Sequence, residues 1–369
     1  MPYPQMLGND LVINENNCNQ ACAYCLTSES QFKEDHLEKR IFNRPTRETY
    51  HPDTPLGQEL QRIVERFDNR FKAPFIKISG GEIFLIKGIT DFIARLSETH
   101  EVVVVQSNGL LLKQDIVHHL ETMGNIVVQM SMDSCMFHGN SYRAQNMKHH
   151  EILMKRLDCL AQSKLPLEIY GVLHDRSIDD IQVFTEWLSR YDTDLVYFPY
   201  PVRGPSAEQF KVRPDQWDPI ETLIANYDRY AHILPPRRYL ERLLEFYKED
   251  KRCFSCHLPR LVASTFNDGI LTACPNIWMI NLGNILTGEW RQTLEKVGDM
   301  KVYDLLLAQT PRLKECQTCF TPWDILSLYI EDEISLEELH RSPTYRQPLV
   351  TERINQVKTA YQNRSCHAA

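Results

Sequence analysis

The sequence predicts an α/β fold built on an open, partial (β/α)6 barrel, followed by a small C-terminal domain that contains a β-hairpin. Six apolar segments of strand length, helical stripes between them and a turn signal near the C-terminus support this prediction. The predicted strands cover residues 11–14, 75–79, 102–106, 126–132, 167–173 and 195–198. Strands that alternate with helices pair in parallel through right-handed crossovers, which produces a barrel-like sheet.

The segments between these strands show the period of an amphipathic helix. In the first of them, apolar residues repeat at i, i+3 and i+4 spacing, namely Leu60, Ile63, Val64, Phe67 and Phe71. Similar stripes run through residues 89–96, 116–123 and 152–160. Each of the first four predicted strands is therefore followed by a helix that can cover one face of the sheet.

Composition narrows the class of protein. A net charge of −8 argues against nucleic-acid binding, because phosphate recognition needs a basic surface. The longest apolar runs have strand length, too short to span a membrane, and the N-terminus lacks the pattern of a signal peptide. Without a secretory signal, the eleven cysteines are better interpreted as metal ligands and free thiols than as disulfides. We expect a cytoplasmic protein that binds neither nucleic acid nor membranes.

Three cysteines follow the first predicted strand with the spacing C-x-x-x-C-x-x-C. They are Cys18, Cys22 and Cys25. Three thiolates do not complete the four-ligand shell of a structural zinc site or of a fully ligated iron–sulfur cluster. The spacing therefore indicates a [4Fe–4S] cluster with one iron open to a non-protein ligand. A zinc loop and a chance arrangement are the alternatives.

This motif resembles that of the radical S-adenosylmethionine (SAM) family, in which an aromatic residue such as Tyr24 usually separates the last two cysteines. The resemblance implies that the open iron binds the amino and carboxylate groups of SAM. It further implies that one electron, from a flavodoxin- or ferredoxin-type donor, cleaves SAM to a 5′-deoxyadenosyl radical. This radical then abstracts a hydrogen atom from the substrate.

Further motifs at the ends of predicted strands match those with which the family binds SAM. Ser79-Gly80-Gly81-Glu82 resembles the G-G-E motif, whose backbone and acid hold the SAM amino group. Asn108, before Gly109, resembles a T-N-G motif, although Asn-Gly also favours a simple turn.

The fourth predicted strand ends in Ser131-Met132-Asp133, similar to the S-x-D that lies beside the SAM ribose, and Arg143 matches an arginine that reaches the carboxylate or sulfonium region. Cys135 follows closely, and we consider it a candidate hydrogen-atom donor to a substrate radical, with a buried structural thiol as the alternative.

A second group of cysteines lies in the last third of the chain: Cys253, Cys256, Cys274, Cys316 and Cys319. Asn267-Asp268-Gly269 predicts a hairpin turn that brings Cys274 back toward the start of the hairpin. The pattern resembles the twitch domain, a shortened SPASM domain, of radical SAM enzymes. That resemblance implies a second, auxiliary [4Fe–4S] cluster bound by Cys256, Cys274, Cys316 and Cys319. A three-cysteine site that includes Cys253 and a structural zinc ribbon are the alternatives.

These motifs predict four regions. Residues 1–213 form the radical SAM partial barrel, 214–250 a helical connection, 251–325 the auxiliary-cluster domain and 326–369 a C-terminal helical tail. The long polar segment within residues 28–74 is expected to be a solvated connection or a lid over the substrate. Tyr200 and Arg203, after the sixth strand, are expected in the substrate region or in a structural role.

The predicted activity is a two-electron oxidation of a small molecule such as an aminocyclitol or a sugar, with the auxiliary cluster as electron acceptor. Maturation of a ribosomally made peptide, by crosslinking or epimerisation, is the first alternative. Such maturases often carry an N-terminal leader-binding domain, for which the 17 residues before Cys18 and the 50 after Cys319 leave no room, and this makes peptide maturation the less favoured of the two reactions without excluding it. A non-catalytic iron–sulfur or zinc protein is the second alternative.

Overall fold

The structure is a computed structural model that describes residues 6–15, 17–25, 48–204 and 207–368, with side chains described up to residue 363. A nine-stranded sheet forms its centre, in the order β6-β5-β4-β3-β2-β1-β7-β8-β9. The strands are β1 (Gly8–Ile13), β2 (Phe75–Gly80), β3 (Val102–Ser107), β4 (Ile126–Ser131), β5 (Leu167–Leu173), β6 (Leu195–Pro201), β7 (Val262–Phe266), β8 (Ile270–Thr272) and β9 (Asn281–Asn284).

Strands β1 to β6 are parallel neighbours in chain order, and the sheet does not close on itself. The predicted α/β fold, an open partial (β/α)6 barrel, is confirmed. All of these strands bury nearly every residue, which is expected of a parallel sheet covered by helices. Their carboxyl ends lie along one edge, where barrel enzymes carry their functional residues.

The helices of the barrel follow its strands. They are α1 (Pro55–Phe71), α2 (Ile89–Ser97), α3 (Gln114–Glu121), α4 (Met147–Ala161) and α5 (Ile181–Leu188). Helix α1 begins where the Thr54 side chain accepts a hydrogen bond from the Gly57 amide and ends at Lys72, whose φ is 48°. Four of the five residues of its predicted apolar stripe are buried, and Val64 is half-buried.

The remaining helices lie in the C-terminal half. They are α6 (Asp218–Ala225), α7 (Tyr227–Tyr230), α8 (Arg237–Glu249), α9 (Leu258–Leu261), α10 (Trp290–Glu295), α11 (Val302–Leu306), α12 (Lys314–Gln317), α13 (Asp324–Ile330), α14 (Leu336–Leu339) and α15 (Pro348–Ala368). Short 3-10 helices occupy Ile83–Leu85, Ile178–Asp180, Ala207–Gln209, Pro214–Gln216 and Pro343–Tyr345. None of the described helices combines the length and the apolar character needed to cross a membrane.

The predicted hairpin is present, and it joins the barrel sheet directly. Strand β7 pairs in parallel with β1, in the register Gly8↔Val262 to Val12↔Phe266, and β8 pairs with β7 in antiparallel fashion. Gly269 makes the turn with a φ of 88°, a value that side-chain-bearing residues rarely adopt. The C-terminal cysteines are therefore attached to the same sheet as the N-terminal ones.

The C-terminal segment also packs against the barrel. The Glu168 carboxylate, inside β5, accepts hydrogen bonds from Ser342 and Thr344 as well as from Gln129 and Tyr170 of the barrel. Arg353 of α15 donates to the carbonyl oxygens of Met6, Phe71 and Lys72. These contacts hold the end of the chain to β1, α1 and β5.

We predict that Glu168→Ala destabilises the protein by about 3 kcal/mol or more, because several buried donors lose their charged acceptor together. Denaturant unfolding of the anaerobically purified protein measures this loss. Glu151→Ala, at an exposed position of α4, is the control and is expected to change stability by less than about 0.5 kcal/mol. Equal stability of the two variants would contradict the role of Glu168.

Candidate active site

The first cysteine group lies in the segment that follows β1, at the carboxyl edge of the parallel strands. Cys18 is exposed, and Cys22 and Cys25 are half-buried. Burial raises the pKa of the Cys22 thiol to about 12; Arg143 opposes this rise, whereas Cys25 and Cys18 add to it. The three thiols therefore interact electrostatically, as closely grouped ligands would.

Gly80 and Gly81 allow this cysteine segment to pack against the end of β2. A Cβ atom on Gly80 would lie 1.9 Å from the Ile13 carbonyl oxygen, and one on Gly81 would lie 2.1 Å from that of Asn17. Gly80 also has a φ of 144°. The next residue, Glu82, donates its backbone N–H to the Asn17 oxygen at 2.8 Å. The two glycines are thus required for the position of the residues that precede Cys18.

The Glu82 side chain is buried and joins the ends of β2 and β3. Its carboxylate accepts hydrogen bonds from the Ser107 hydroxyl (3.0 and 3.1 Å), the Asn108 amide (2.8 Å) and the Phe84 amide (3.2 Å). Burial raises the pKa of Glu82 to about 7, although these hydrogen bonds oppose the rise. The structure places the Glu82 backbone beside the cysteine segment and its carboxylate behind it. A contact of Glu82 with the SAM amino group stays a prediction.

Asn108 connects β3 to the cysteine segment. Its side-chain amide donates to Asn19 Oδ1 at 2.7 Å and lies 3.5 Å from Cys18 Sγ. The neighbouring Gly109 has a φ of 87°, as the turn interpretation requires. The Asn-Gly pair therefore makes a turn and also anchors the loop that carries Cys18.

Asp133 is the centre of a buried network behind the cysteines. Its carboxylate accepts from the Tyr24 hydroxyl, from Arg143 Nη2 (3.3 Å) and from the Val172 amide (3.0 Å), and it lies 3.7 Å from His174 Nε2. Burial alone would raise the pKa of Asp133, but Arg143 and His174 outweigh it and hold the pKa below its usual value. The network joins the cysteine segment to the ends of β4 and β5.

Arg143 lies between this network and the first cysteine group. Its Nη1 atom is 4.0 Å from Cys22 Sγ. Its Nε atom is buried and has no hydrogen-bond partner among the described residues. Burial alone would lower the pKa of the guanidinium, but Asp133 and Tyr24 raise it well above its usual value. Arg143 is therefore a permanent cation with an unused donor next to the cysteines.

The second cysteine group assembles from four separate places in the C-terminal half. Cys256 precedes α9, Cys274 follows β8, Cys316 lies in α12 and Cys319 follows it. Burial raises the pKa of the Cys274 thiol well above its usual value, and Cys256, Cys319 and Cys316 raise it further. These four thiols therefore lie near one another.

Cys253 is exposed, and its sulfur contacts the Lys251 carbonyl oxygen at 3.7 Å. The cysteines whose charges act most strongly on the Cys274 thiol are Cys256, Cys319 and Cys316. The geometry thus favours the predicted four-cysteine set over the alternative set that contains Cys253.

Arg252 holds this second group together and was not identified from the sequence. Its buried guanidinium donates to the carbonyl oxygens of Phe254, Ser255 and Cys319, and to Asp324 Oδ1 at 2.5 Å. Its backbone N–H donates to the Gln317 oxygen. The sequence shows that Arg252 is a basic residue next to clustered cysteines, which is a signal for such a role. It does not show the distant hydrogen-bond partners of Arg252.

One cavity is lined by the first cysteine group and by residues that follow Cys274 and Cys319 of the second group. On the barrel side it is lined by Cys18, Cys22, Cys25, Gly80, Gly81, Asn108, Ser131 and Arg143. On the C-terminal side it is lined by Pro275, Asn276 and Trp278, which follow Cys274, and by Thr321, Pro322 and Trp323, which follow Cys319. Asp10, Lys77, Tyr170, Tyr200 and Arg203 also line it. Tyr200 and Arg203 thus line the cavity, and their contact with a substrate stays a prediction.

Cys135 lies outside the lining of this cavity. It is half-buried, and burial together with Asp180 raises the pKa of its thiol to about 11. This position gives no support to hydrogen-atom donation by Cys135, which stays a prediction. The Cys366 side chain and residues 28–47 of the predicted lid lie outside the described residues.

Comparisons with known proteins agree with this geometry. Residues 15–188 match the family model of the Radical SAM superfamily. The sporulation killing factor maturation protein SkfB of Bacillus subtilis (strain 168) is 23% identical over 171 residues. That alignment spans 46% of this chain and 37% of SkfB, so the chain matches well under half of that relative's length.

Solved structures share the fold. SuiB of Streptococcus suis bound to SAM matches with a TM-score of 0.58 and 14% identity, over 82% of this chain and 67% of SuiB. The complex of SuiB with its precursor peptide SuiA matches with a TM-score of 0.56 and 14% identity, over 81% of this chain and 66% of SuiB. The enzyme anSMEcpe with bound SAM matches with a TM-score of 0.52 and 15% identity, over 94% of this chain and 99% of that one.

Residues 15–188 therefore resemble the radical SAM domain, a class whose members bind a [4Fe–4S] cluster and SAM. The residues present fit these groups, because thiols are the usual cluster ligands and Arg143 offers a buried, unused donor. In the part of the chain that the structure describes, no three His, Cys, Asp or Glu side chains are arranged to hold a single metal ion.

We predict that Gly81→Ala removes the first cluster, because the new Cβ would displace the Asn17 carbonyl and with it the Cys18 segment. Iron and sulfide analysis after anaerobic reconstitution is expected to show about four fewer irons per chain, one cubane. Gly288→Ala is the matched control, since a Cβ there meets no atom within 4 Å. An unchanged iron content in Gly81→Ala would contradict this role of the glycine.

Proposed function

We propose that the protein is a radical SAM enzyme that abstracts a hydrogen atom from a substrate held between two cysteine groups. The single observation that carries this proposal is the cavity lined on one side by Cys18, Cys22 and Cys25 and on the other by residues adjoining Cys274 and Cys319. A cavity that exposes one group of thiols and adjoins a second group is expected of a site in which a substrate is activated and then oxidised or rearranged.

The first cysteine group is proposed to hold the [4Fe–4S] cluster that binds SAM. Cluster and SAM together supply the hydrogen-abstracting chemistry. Around them, the Gly80 and Gly81 backbones allow close approach of a ligand, and Asn108 and Ser131 line the wall. Arg143 is positioned by Asp133 and suits the carboxylate of SAM, because guanidinium groups bind carboxylates through charge-assisted hydrogen bonds.

Asp133 itself acts in this proposal as a positioning residue. Its oxygens are occupied by Tyr24, Arg143 and Val172, and it does not line the cavity. The predicted contact of Asp133 with the SAM ribose would need these partners to rearrange. Ser131, which lines the cavity, is the better placed of the two residues for such a contact.

The second cysteine group is proposed to hold an auxiliary [4Fe–4S] cluster of the twitch type. Four thiolates complete the coordination of a cubane, so this cluster would transfer electrons or shape the cavity instead of binding substrate. The buried Arg252 and Asp324 pair and Arg203, whose Nη1 lies 3.9 Å from Cys319 Sγ, support a charged centre at this position. A flavodoxin- or ferredoxin-type protein is the proposed electron donor.

Peptide maturation is the proposed reaction class. The relative SkfB is a maturation protein, and the structurally similar SuiB has been crystallised with a precursor peptide. Support for a peptide substrate is thus at least as strong as for the small-molecule oxidation that the sequence favoured. That oxidation remains the second candidate, because a closed four-thiol centre beside the cavity suits an electron acceptor.

Anaerobic reconstitution with iron and sulfide tests the proposal. We expect about eight irons per chain, two cubanes, and cleavage of SAM to 5′-deoxyadenosine after reduction. Cys22→Ala is expected to lose the cleavage, and Cys253→Ala, at an exposed cysteine outside the proposed ligand sets, to keep it. Bound zinc without SAM cleavage would refute the proposal.

The same assay separates the two substrate classes. With a deuterated precursor-like peptide as substrate, deuterium is expected in 5′-deoxyadenosine. Transfer only from a deuterated aminocyclitol would select the small-molecule candidate instead.

A further inference from the structure

A buried lysine lines the cavity and has no role in the radical chemistry described above. Lys77 lies in the middle of β2 and is 4% exposed. Its ammonium is 5.1 Å from the centre of the Trp323 ring and 5.9 Å from that of Tyr170. Both rings line the same cavity, so aromatic faces flank the ammonium at the cavity wall.

The Lys77 ammonium has no hydrogen-bond acceptor among the described residues. No described carboxylate lies within 4.0 Å of it. Glu168, the acid on β5, is saturated by four donors from Gln129, Tyr170, Ser342 and Thr344. A buried ammonium with its three N–H donors unused is costly, unless a ligand or water accepts from them.

Asp10 is the nearest candidate for an internal partner. It pairs with Lys77 in the β1–β2 register, so both side chains emerge at the same level of the sheet. Its carboxylate accepts from the Ser79 hydroxyl at 2.7 Å instead. Asp10 thus moderates the charge of Lys77 at a distance and leaves the hydrogen-bond donors of the ammonium free.

A second cation shares this end of the cavity. Arg203 lines the cavity after β6, and its Nη1 atom points to Cys319 Sγ at 3.9 Å. Burial lowers the pKa of the Lys77 ammonium; Asp10 and Glu168 oppose this, and the charge of Arg203 adds to it. The two cations therefore line the same end of the cavity and repel each other, and Asp10, which also lines the cavity, offsets only part of this repulsion because it makes no hydrogen bond to Lys77.

We propose that Lys77, assisted by Arg203, binds a carboxylate of the substrate. An anion between two cations would remove their repulsion and accept the unused hydrogen bonds, in a setting where water screens little. The SAM carboxylate has its own partner in Arg143, which is held by Asp133 beside Cys22. This inference rests on the proposed function and narrows its substrates to those with an acidic side chain or a free C-terminal carboxylate.

Saturation-transfer NMR with small probes tests the inference on the reconstituted, oxidised protein. The probes are N-acetyl-glutamate α-amide, its neutral isostere N-acetyl-glutamine α-amide, and N-acetyl-alanine, which carries a terminal carboxylate. We expect a carboxylate probe to bind about tenfold more tightly than the neutral amide, as one charge-assisted hydrogen bond allows. The glutamate probe reports a side-chain source of the carboxylate, and the alanine probe a chain terminus.

Substitutions at Lys77 test whether this residue causes the tighter binding of carboxylate probes. Lys77→Met keeps the length and apolar stem, and is expected to abolish the preference while circular dichroism and iron content show a folded protein. Lys77→Arg is expected to restore part of it. Lys155→Met, at an exposed position of α4, is the matched control and is expected to keep it fully. Equal binding of charged and neutral probes to the wild type, or a preference that survives in Lys77→Met, would overturn the inference.

Failure of this inference and failure of the proposed function are distinguishable. A wild-type protein that cleaves SAM but shows no carboxylate preference refutes the carboxylate site alone. If the protein prefers carboxylates through Lys77 but never cleaves SAM, the carboxylate site is supported and the proposed radical SAM function is refuted.

Discussion

The close approach between the end of β2 and the segment after β1 is the constraint on which the site depends. Gly80 and Gly81 lie against the carbonyl oxygens of Ile13 and Asn17 at distances that no side chain could occupy. The Glu82 amide then hydrogen-bonds Asn17, and the Glu82 carboxylate holds β3 through Ser107 and Asn108. Cys18 is positioned by the backbone of three strands, so its location follows from the sheet itself.

Both cysteine groups are stabilised by a similar electrostatic arrangement. At the first group Arg143 pairs with Asp133, and at the second Arg252 pairs with Asp324. Each pair is buried and each arginine also contacts the cysteine segment. Breaking such a pair leaves an uncompensated buried charge, whereas an intact one fixes loops that have little regular structure of their own. The guanidinium charges also suit centres made of several thiolates.

Local features of the sequence predicted much of this fold. Strand β5 has the predicted bounds, and the Asn267-Asp268-Gly269 turn is present, because alternation of strands and helices and turn residues are local signals. The parallel pairing of β7 with β1, which joins the hairpin to the barrel, was not predictable, since it links residues about 250 positions apart. Lys77 was also missed, because one charge in an apolar strand gives no hint of the cavity beside it.

The site residues likewise fall into those that the local sequence predicts and those that only distant contacts in the folded chain reveal. The cysteines and the glycine pair have diagnostic spacing, so the sequence was sufficient to propose them. The partners of Asp133 in β5 and the cysteine segment, and the distant partners of Arg252 beyond Cys316, come together only in the folded chain. The measurement that tests the central claim most directly is Mössbauer spectroscopy of the protein reconstituted with 57Fe, before and after addition of SAM. Two cubanes, with about one iron in eight changing its signal on SAM binding, are predicted; spectra that SAM leaves unchanged, or a protein that assembles no cubane, would contradict it.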